Sequence, residues 1–372
     1  MRLLFVVSED WYFVGHRLAL AKAARAAGYS VGIATRVLAH REPILEAGLD
    51  LFPLDLVRSG RSPTGELAAV RQITEVYRRF QPSVVHHVAI KPILYGSLAA
   101  RLAGIAGIVN AIAGLGYAFS SRDLRASVIR RVLGRAYALA LRRGEVILQN
   151  RDDMELLASR GIVSPERCTL IPGAGIDLSA YTPIPMDDGT SLVVLPARML
   201  RDKGVEEFVD AAAVLRARGI QARFALVGTP DPENPASIPA SKLQSWVEQG
   251  TVEWWGWRND MAQVYASAHI VCLPSYREGL PKSLIEAAAC GRPIVTTDVP
   301  GCRDTILPGE TGLLVPPRNA LFLADALRLL LSDPNRRKAM GARARKLAEE
   351  RFSIESIAAQ TLAVYERALR GR

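Results

Sequence analysis

Asp-x-Asp occurs nowhere in these 372 residues, and neither does a CxxC pair. The first absence removes the usual carboxylate pair for holding Mg²⁺ or Mn²⁺ beside a phosphate. The second removes the simplest zinc and dithiol motifs. The four cysteines, Cys168, Cys272, Cys290 and Cys302, stand apart from one another and from any histidine cluster, and are read as buried, reduced thiols. Aromatic residues make up only 6% of the chain. The basic residues interleave with Leu, Val and Ala rather than with aromatics, which argues against a nucleic-acid-binding surface despite the net charge of +10. The opening run MRLLFVVSEDWYF meets Glu9 and Asp10 too soon for a secretory signal and reads as a first buried strand. One uncharged run, Leu102–Ser121, reaches membrane-spanning length at 20 residues. It carries Gly104, Gly107, Gly114, Gly116 and Asn110, so it reads as a helix end, a buried strand at about 107–113 and a glycine loop.

What is present is a globular chain, 49% apolar and 23% charged, of a length that suggests two domains. Charge is uneven: residues 1–180 hold 23 Lys/Arg against 15 Asp/Glu, and residues 181–372 hold 24 against 22. An anionic partner is therefore expected on the first half. Short apolar runs alternate with amphipathic ones. Strands are expected at 3–7, 30–35, 83–87 and about 107–113, with helices at 16–27, 64–80 and 93–102. A second set follows: strands 192–196, 223–228, 251–255, 270–274 and 293–297, with helices 205–219, 237–250, 261–267 and 281–290. The alternation is that of an α/β protein with doubly wound parallel sheets. Ser179–Thr190, SAYTPIPMDDGT, has two prolines and no periodicity and is the linker candidate. The expected domains are 1–180 and 191–353, with the segment 354–372 packing back on the first.

In open α/β sheets ligands bind outside the carboxyl ends of the strands, so the residues just after strands carry most of the functional information. Glu278 follows the 270–274 strand and Glu286 lies eight residues on, in the next helix. Ionised carboxylates accept only, and suit hydroxyl donors such as those of a ribose or a hexose. The amides of Gly279, Leu280 and Lys282, near a helix N-terminus, suit phosphate or sugar oxygens. The alternative is a capping residue and a solvated helix position. After the first strand of the second domain comes ARMLRDKG, where Arg198 and Lys203 lie five apart across a strand-to-helix turn. Two cations there suit a diphosphate; ordinary surface charge is the alternative. In the first domain, His86 and His87 close the strand VVHH, and Lys91 follows.

Glu278-x7-Glu286, with Arg198-x4-Lys203 upstream, resembles the retaining GT-B glycosyltransferases of family 4, the glycosyl transferases of group 1. The segments EDWYFVGHRLALA, VVHHVAIKPILYGSLAARLAG and VNAIAGLGYAF resemble a narrower bacterial subgroup that extends lipid-linked sugars in capsule, O-antigen and protein-glycan assembly. The resemblance covers nearly the whole chain. It implies two Rossmann-like domains with parallel sheets facing across a cleft. It implies transfer of a hexose or N-acetylhexosamine from a UDP-sugar to a polyprenyl-diphosphate-linked saccharide, with no metal and no cofactor. Glu278, Arg198, Lys203 and His87 would be catalytic, Glu278 at the donor sugar and the two cations at the departing diphosphate. Glu286 would take the ribose, and Gly279 and Leu280 would offer amides. Gly228 and the segment 256–258 with Arg258 would border the base. Gly15 and His16 stand where relatives have a loop approaching the phosphates, although the paired glycines common there are absent. His86, Lys91, Arg130 and Arg131 would face the acceptor, with His86 and His87 interchangeable on sequence alone. A nucleotide-sugar epimerase of the same fold and a non-catalytic sugar-binding subunit are the rival readings.

Residues 122–143, RDLRASVIRRVLGRAYALALRR, carry seven arginines and one aspartate. Leu124, Val128, Val132, Leu133, Tyr137 and Leu141 recur near helical spacing, the pattern of a basic amphipathic helix at an anionic membrane surface. The alternative is a solvated helix whose apolar stripe joins the core. With the expected lipid-linked acceptor, this places the protein in the cytoplasm, peripheral at the inner face of the cell membrane. Flotation with anionic liposomes should carry the wild type upward in low salt. It should fail for a variant with Arg130, Arg131 and Arg135 replaced by Gln; salt-insensitive flotation would remove the idea.

Overall fold

A computed structural model describes residues 1–56, 63–115, 134–187 and 189–370. Two compact units emerge. Unit 1 comprises Met1–Gly175 together with the C-terminal helix Ile354–Arg370, and unit 2 comprises Ile176–Ser353.

Unit 1 is built on seven parallel strands: β1 (Arg2–Glu9), β2 (Ser30–Arg36), β3 (Asp50–Pro53), β4 (Val84–Val88), β5 (Gly107–Ile112), β6 (Glu145–Leu148) and β7 (Cys168–Leu170), in the order β3-β2-β1-β4-β5-β6-β7. Unit 2 repeats the plan with β8 (Leu192–Pro196), β9 (Arg223–Val227), β10 (Glu253–Gly256), β11 (Ile270–Leu273), β12 (Ile294–Thr297) and β13 (Gly312–Val315), in the order β10-β9-β8-β11-β12-β13. Each sheet reverses its winding between its first and fourth strands, which pair in parallel as β1·β4 and β8·β11. Every residue of VVHHV in β4 and of LVVLP in β8 is buried, as expected of central strands covered by helices on both faces.

The helix expected at 16–27 runs over Leu18–Ala26, the second of two helices separated by Arg17, the first being Asp10–His16. The first begins directly after β1. Its Asp10 is fully buried and accepts from the backbone N–H groups of Trp11, Leu38, Ala39 and His40 at 2.7–3.0 Å. Burial alone would raise that carboxyl; the four amides outweigh it and hold the group below the usual range. The uncharged run 102–121 supplies the central strand β5, and no helix among the described residues is long and apolar enough to cross a membrane.

Helix Ile354–Arg370 buries Ile357, Ala358, Val364, Tyr365 and Ala368 with Leu3, Phe5, Phe13 and Leu20 of unit 1. Of these, Ile357 and Val364, like Leu3, Phe5, Phe13 and Leu20, each contribute about 1.5–3 kcal/mol, the alanines less. The segment before β8 joins unit 2. Ile176 pairs with Ser353, the Tyr181 hydroxyl reaches Glu286, and buried Arg292 donates to the carbonyls of Ile184, Tyr265 and Ala266.

Between β8 and its helix, Val205–Ala217, the chain turns through the short 3₁₀ stretch Arg201–Lys203 and Gly204, which has φ +71°. A Cβ at Gly204 would lie 2.2 Å from the carbonyl oxygen of Pro274, after β11. Only glycine allows both the left-handed backbone and that approach. Gly204→Ala is expected to destabilise unit 2 by about 1–3 kcal/mol. Chemical denaturation followed by hydrogen exchange of the β8 amides measures this, and an unchanged midpoint would contradict it.

Candidate active site

The loops leaving β8 and β11 are stitched together. The amide of Tyr276 donates to the carbonyl of Asp202 at 2.9 Å, alongside the Gly204–Pro274 approach. This register brings Lys203 and Glu278, 75 residues apart, into contact: Lys203 Nζ donates to Glu278 Oε1. Ser275 Oγ donates to the same oxygen at 2.7 Å. The Glu278 amide is taken by Pro300 O at 3.1 Å, which fixes the loop from the β12 side. Lys203 and Glu278 keep 19% and 13% of their side-chain surface, so both are accessible without being loose.

Arg198 leaves the end of β8 and is also paired, its Nη1 donating to Asp231 Oδ2 at 2.6 Å. Asp231 comes from the loop after β9 and was not singled out in the sequence; the acidic residue in TPDPENP is the signal that could have found it. Thus each expected phosphate cation has a carboxylate counterion from a neighbouring carboxyl-edge loop.

Glu286 lies in helix Lys282–Ala289 and is buried. Its Oε1 accepts from Tyr181 Oη at 2.7 Å and its Oε2 from Tyr265 Oη at 2.9 Å, with Lys282 Nζ 3.1 Å from Oε1. It is therefore neither a cap nor a solvated position. The two phenols were missed on sequence, because neither lies near Glu286 along the chain. Leu280 is buried beside this helix, in the core that also holds Leu284 and Ile285. Gly279 lies in the turn before it.

Gly228, φ +141°, closes the β9 end: its N–H donates to Gly256 O at 2.8 Å, and its carbonyl accepts from Trp254 Nε1 at 2.8 Å. A Cβ there would fall 1.9 Å from the Ala197 carbonyl, so the glycine is demanded by packing. Arg258 lies in an ion pair with Asp260, Nε to Oδ1 at 2.7 Å.

In unit 1 the picture departs from expectation. Gly15 and His16 form the last turn of helix Asp10–His16 rather than a loop, and the His16 ring stacks on Tyr12 at 4.4 Å. His86 and His87 do not close β4, which runs on to Val88. His87 is fully buried, with Nδ1 2.8 Å from Asn110 Oδ1 and Nε2 2.7 Å from Tyr77 Oη. Both ring nitrogens are taken and Gly96 packs on the ring, so His87 leaves the catalytic set. His86 points to the other face, where its Nδ1 meets Tyr365 Oη at 2.6 Å; it is 1% exposed and leaves the acceptor-facing set. Period two is the reason: adjacent strand residues in a doubly covered sheet each enter a core. Lys91 Nζ lies 2.9 Å from Glu66 Oε1, and Tyr95 Oη donates to the other oxygen. Arg130 and Arg131 lie outside the described residues. Among the described residues no three His, Cys, Asp or Glu side chains converge as metal ligands.

With the fold and this constellation in hand, comparison with known proteins gives a consistent answer. Residues 2–150 match the family described as Glycosyl transferase 4-like, and residues 190–333 match Glycosyl transferases group 1. The chain belongs to this group 1, family 4-like class of glycosyltransferases and has the two-sheet architecture of GT-B enzymes. It is similar over 100% of both chains, at 27% identity, to the N,N'-diacetylbacillosaminyl-diphospho-undecaprenol alpha-1,3-N-acetylgalactosaminyltransferase of Campylobacter jejuni. Among solved structures it resembles the sucrose-phosphate synthase of Thermosynechococcus elongatus, with a TM-score of 0.84, 22% identity and 100% of both chains covered. It also resembles Anabaena HepE in complex with UDP, with a TM-score of 0.80, 19% identity, 99% of this chain and 100% of that one.

The buried imidazoles set a pH dependence. Burial pushes His87 down to about 4, against a raising hydrogen bond from Asn110. Burial, then the charges of Arg17 and His87, push His86 well below its ordinary value. Unfolded histidine titrates near 6.5, so below that pH the unfolded chain takes a proton that folded His87 refuses until about 4. Its stabilising effect is complete above 6.5 and is lost as pH falls from 6.5 to 4, amounting to about 3 kcal/mol. Hydrogen exchange of the β4 amides should show this loss in the wild type and a shallower one in His87→Gln. Parallel profiles would contradict it.

Proposed function

We propose that this chain is a retaining, metal-independent glycosyltransferase that moves a hexose or N-acetylhexosamine from a UDP-sugar to a polyprenyl-diphosphate-linked saccharide. The observation that carries the reading is the Lys203–Glu278 pair at the β8/β11 switch point, with Arg198 on the neighbouring loop end. The full-length likeness to a transferase whose name specifies a diphospho-undecaprenol-linked acceptor supports the acceptor class. HepE, a fold relative, holds UDP, which supports the donor class.

The chemistry follows from charge. The donor diphosphate competes with Glu278 for Lys203 and with Asp231 for Arg198. Glu278, released, accepts from sugar hydroxyls. As the bond between C1 and the β-phosphate oxygen breaks, negative charge grows on that oxygen and the cations stabilise it. The acceptor hydroxyl attacks C1 from the departing side, and its proton goes to the leaving phosphate. Glu286, held by Tyr181 and Tyr265, keeps lone pairs for the ribose. Sugar selection rests on Glu278, base selection on the loops at Gly228 and Arg258. The Arg-rich stretch 122–143 supports a seat on an anionic membrane for a lipid-linked acceptor.

Lys203→Ala should lower kcat by about 100-fold or more with a much smaller change in donor KM, because the interaction strengthens as charge develops. Steady-state turnover of UDP-sugars with a short-chain polyprenyl-diphosphate saccharide, in EDTA, reads both values. Unchanged kcat with a raised KM would assign Lys203 to binding alone, and UDP-sugar isomerisation without acceptor would favour an epimerase.

A further inference from the structure

Glu286 is held by two phenols whose supports differ. Tyr265 belongs to helix Met261–Ser267 and is fully buried, so the core fixes the Oη that donates to Glu286 Oε2 at 2.9 Å. Tyr181 lies in the irregular segment before β8 and is only partly buried, yet its Oη reaches Glu286 Oε1 at 2.7 Å. A side chain on irregular backbone keeps such an aim only if that backbone is tied down.

The tie is Arg345, in helix Pro334–Arg351. Its Nη1 donates to two carbonyls at once, that of Tyr181 at 2.6 Å and that of Ala289 at 2.8 Å. Ala289 is the last residue of helix Lys282–Ala289, which carries Glu286. A cation on the final carbonyls of a helix also caps it and suits its dipole. One nitrogen therefore joins the backbone of the donor to the helix of the acceptor in the Tyr181–Glu286 hydrogen bond. The guanidinium is steadied in turn by Glu349, whose Oε1 accepts from Arg345 Nε at 2.6 Å. Helix Pro334–Arg351 meets the same place by backbone contact: a Cβ at Gly341 would fall 2.1 Å from the carbonyl oxygen of Gly291. Glycine is disfavoured inside a helix, and that close approach accounts for it here.

The donors decide which oxygen of Glu286 is left for a ligand. Tyr181 Oη and, at 3.1 Å, Lys282 Nζ both stand at Oε1, whereas Tyr265 stands at Oε2. Oε2 is the less occupied oxygen and has room for a ligand hydroxyl. Burial and the neighbouring Glu286 carboxylate push both phenols upward, so both remain O–H donors at working pH.

We propose that Tyr181, set in place by Arg345, is the positioning residue that makes this site select a ribonucleotide over its deoxy counterparts. The inference rests on the reading of Glu286 as the ribose contact and adds what gives that contact its selectivity. A carboxylate pinned on both oxygens offers Oε2 in one direction. A ribose hydroxyl meets it there, and a deoxyribose leaves a partly buried acceptor unpaired. Without the Tyr181 bond the carboxylate turns about its Tyr265 bond and finds water instead, so the distinction fades.

Calorimetry of the full chain with UDP, 2′-deoxy-UDP and 3′-deoxy-UDP tests this. In the wild type at least one deoxy analogue should bind about tenfold or more weaker than UDP. That ratio should shrink about threefold or more in Tyr181→Phe, which removes only the hydroxyl, and in Arg345→Met, which frees the backbone beneath it. A general loosening of unit 2 weakens all three ligands together and leaves the ratio as it was. An unchanged or larger ratio in either variant overturns the proposal; a larger one shows that the phenol competes with the ribose. If Arg345→Met does not fold, Tyr181→Phe decides alone. Absent UDP binding, or equal wild-type affinities for the three ligands, overturns the ribose role of Glu286 and this inference with it. Wild-type discrimination with unchanged ratios in the variants removes this inference and leaves the ribose reading in place.

Discussion

A charge pair across two loops organises unit 2. Lys203 and Glu278 are far apart in sequence and meet because the backbone leaves no other register: the Tyr276 amide holds Asp202, and Gly204 lies against Pro274. Partly buried charges of one sign would be costly alone, and as a pair they are tolerable. Each cation is therefore balanced by a carboxylate, and on the proposed reading a ligand bearing both charge and hydroxyls exchanges with the pair. Arg198 and Asp231 repeat the device on the adjacent loops. A ligand with only phosphate, or only hydroxyls, would displace one half of each pair and leave the other uncompensated. On the proposed reading, that favours a nucleotide-sugar over its separate parts.

The two units share one strand order, yet their central strands are furnished differently. In unit 2 the polar groups stand beyond the strand ends, on loops. In unit 1 two imidazoles lie inside β4, one in each of the cores flanking the sheet. Asn110 and Tyr77 satisfy His87 completely, whereas His86 is satisfied on one nitrogen only. Buried polar groups are nearly always paired, and His86 Nε2 is one of the exceptions among the described residues.

The strand pattern was legible because central parallel strands are continuous apolar runs: Leu192–Pro196 falls where it was expected, and β1, β4 and β11 differ at their ends only. Edge strands β3, β7 and β13 escaped notice. DLFP, CTL and GLLV are too short to show periodicity, and their place is settled by pairing with strands already formed. Of the site, Lys203 with Glu278 was legible as spacing after strands. Their direct bond was not, since it depends on loops touching. The histidines were misread because VVHH resembles a strand end, while one further valine keeps both rings inside. Asp231, Tyr181 and Tyr265 are partners by tertiary contact, with no local pattern to announce them.

Glu286 shows what such partners do. An ionised carboxylate has about four acceptor positions, and two phenols occupy one on each oxygen. The remaining positions are thereby given a direction, because the carboxylate plane cannot rotate without breaking a hydrogen bond. Tyr265 is held in the core, and Tyr181 is placed by the segment that Arg292 ties through Ile184. The proline-rich stretch that looks like mere linker on sequence thus acts on the site: it sets one of the two donors that aim Glu286. A change at Arg292, which touches no part of the Lys203–Glu278 pair, would loosen that aim. On the proposed reading, its effect would fall on ribose contact rather than on the charge that develops at the phosphate.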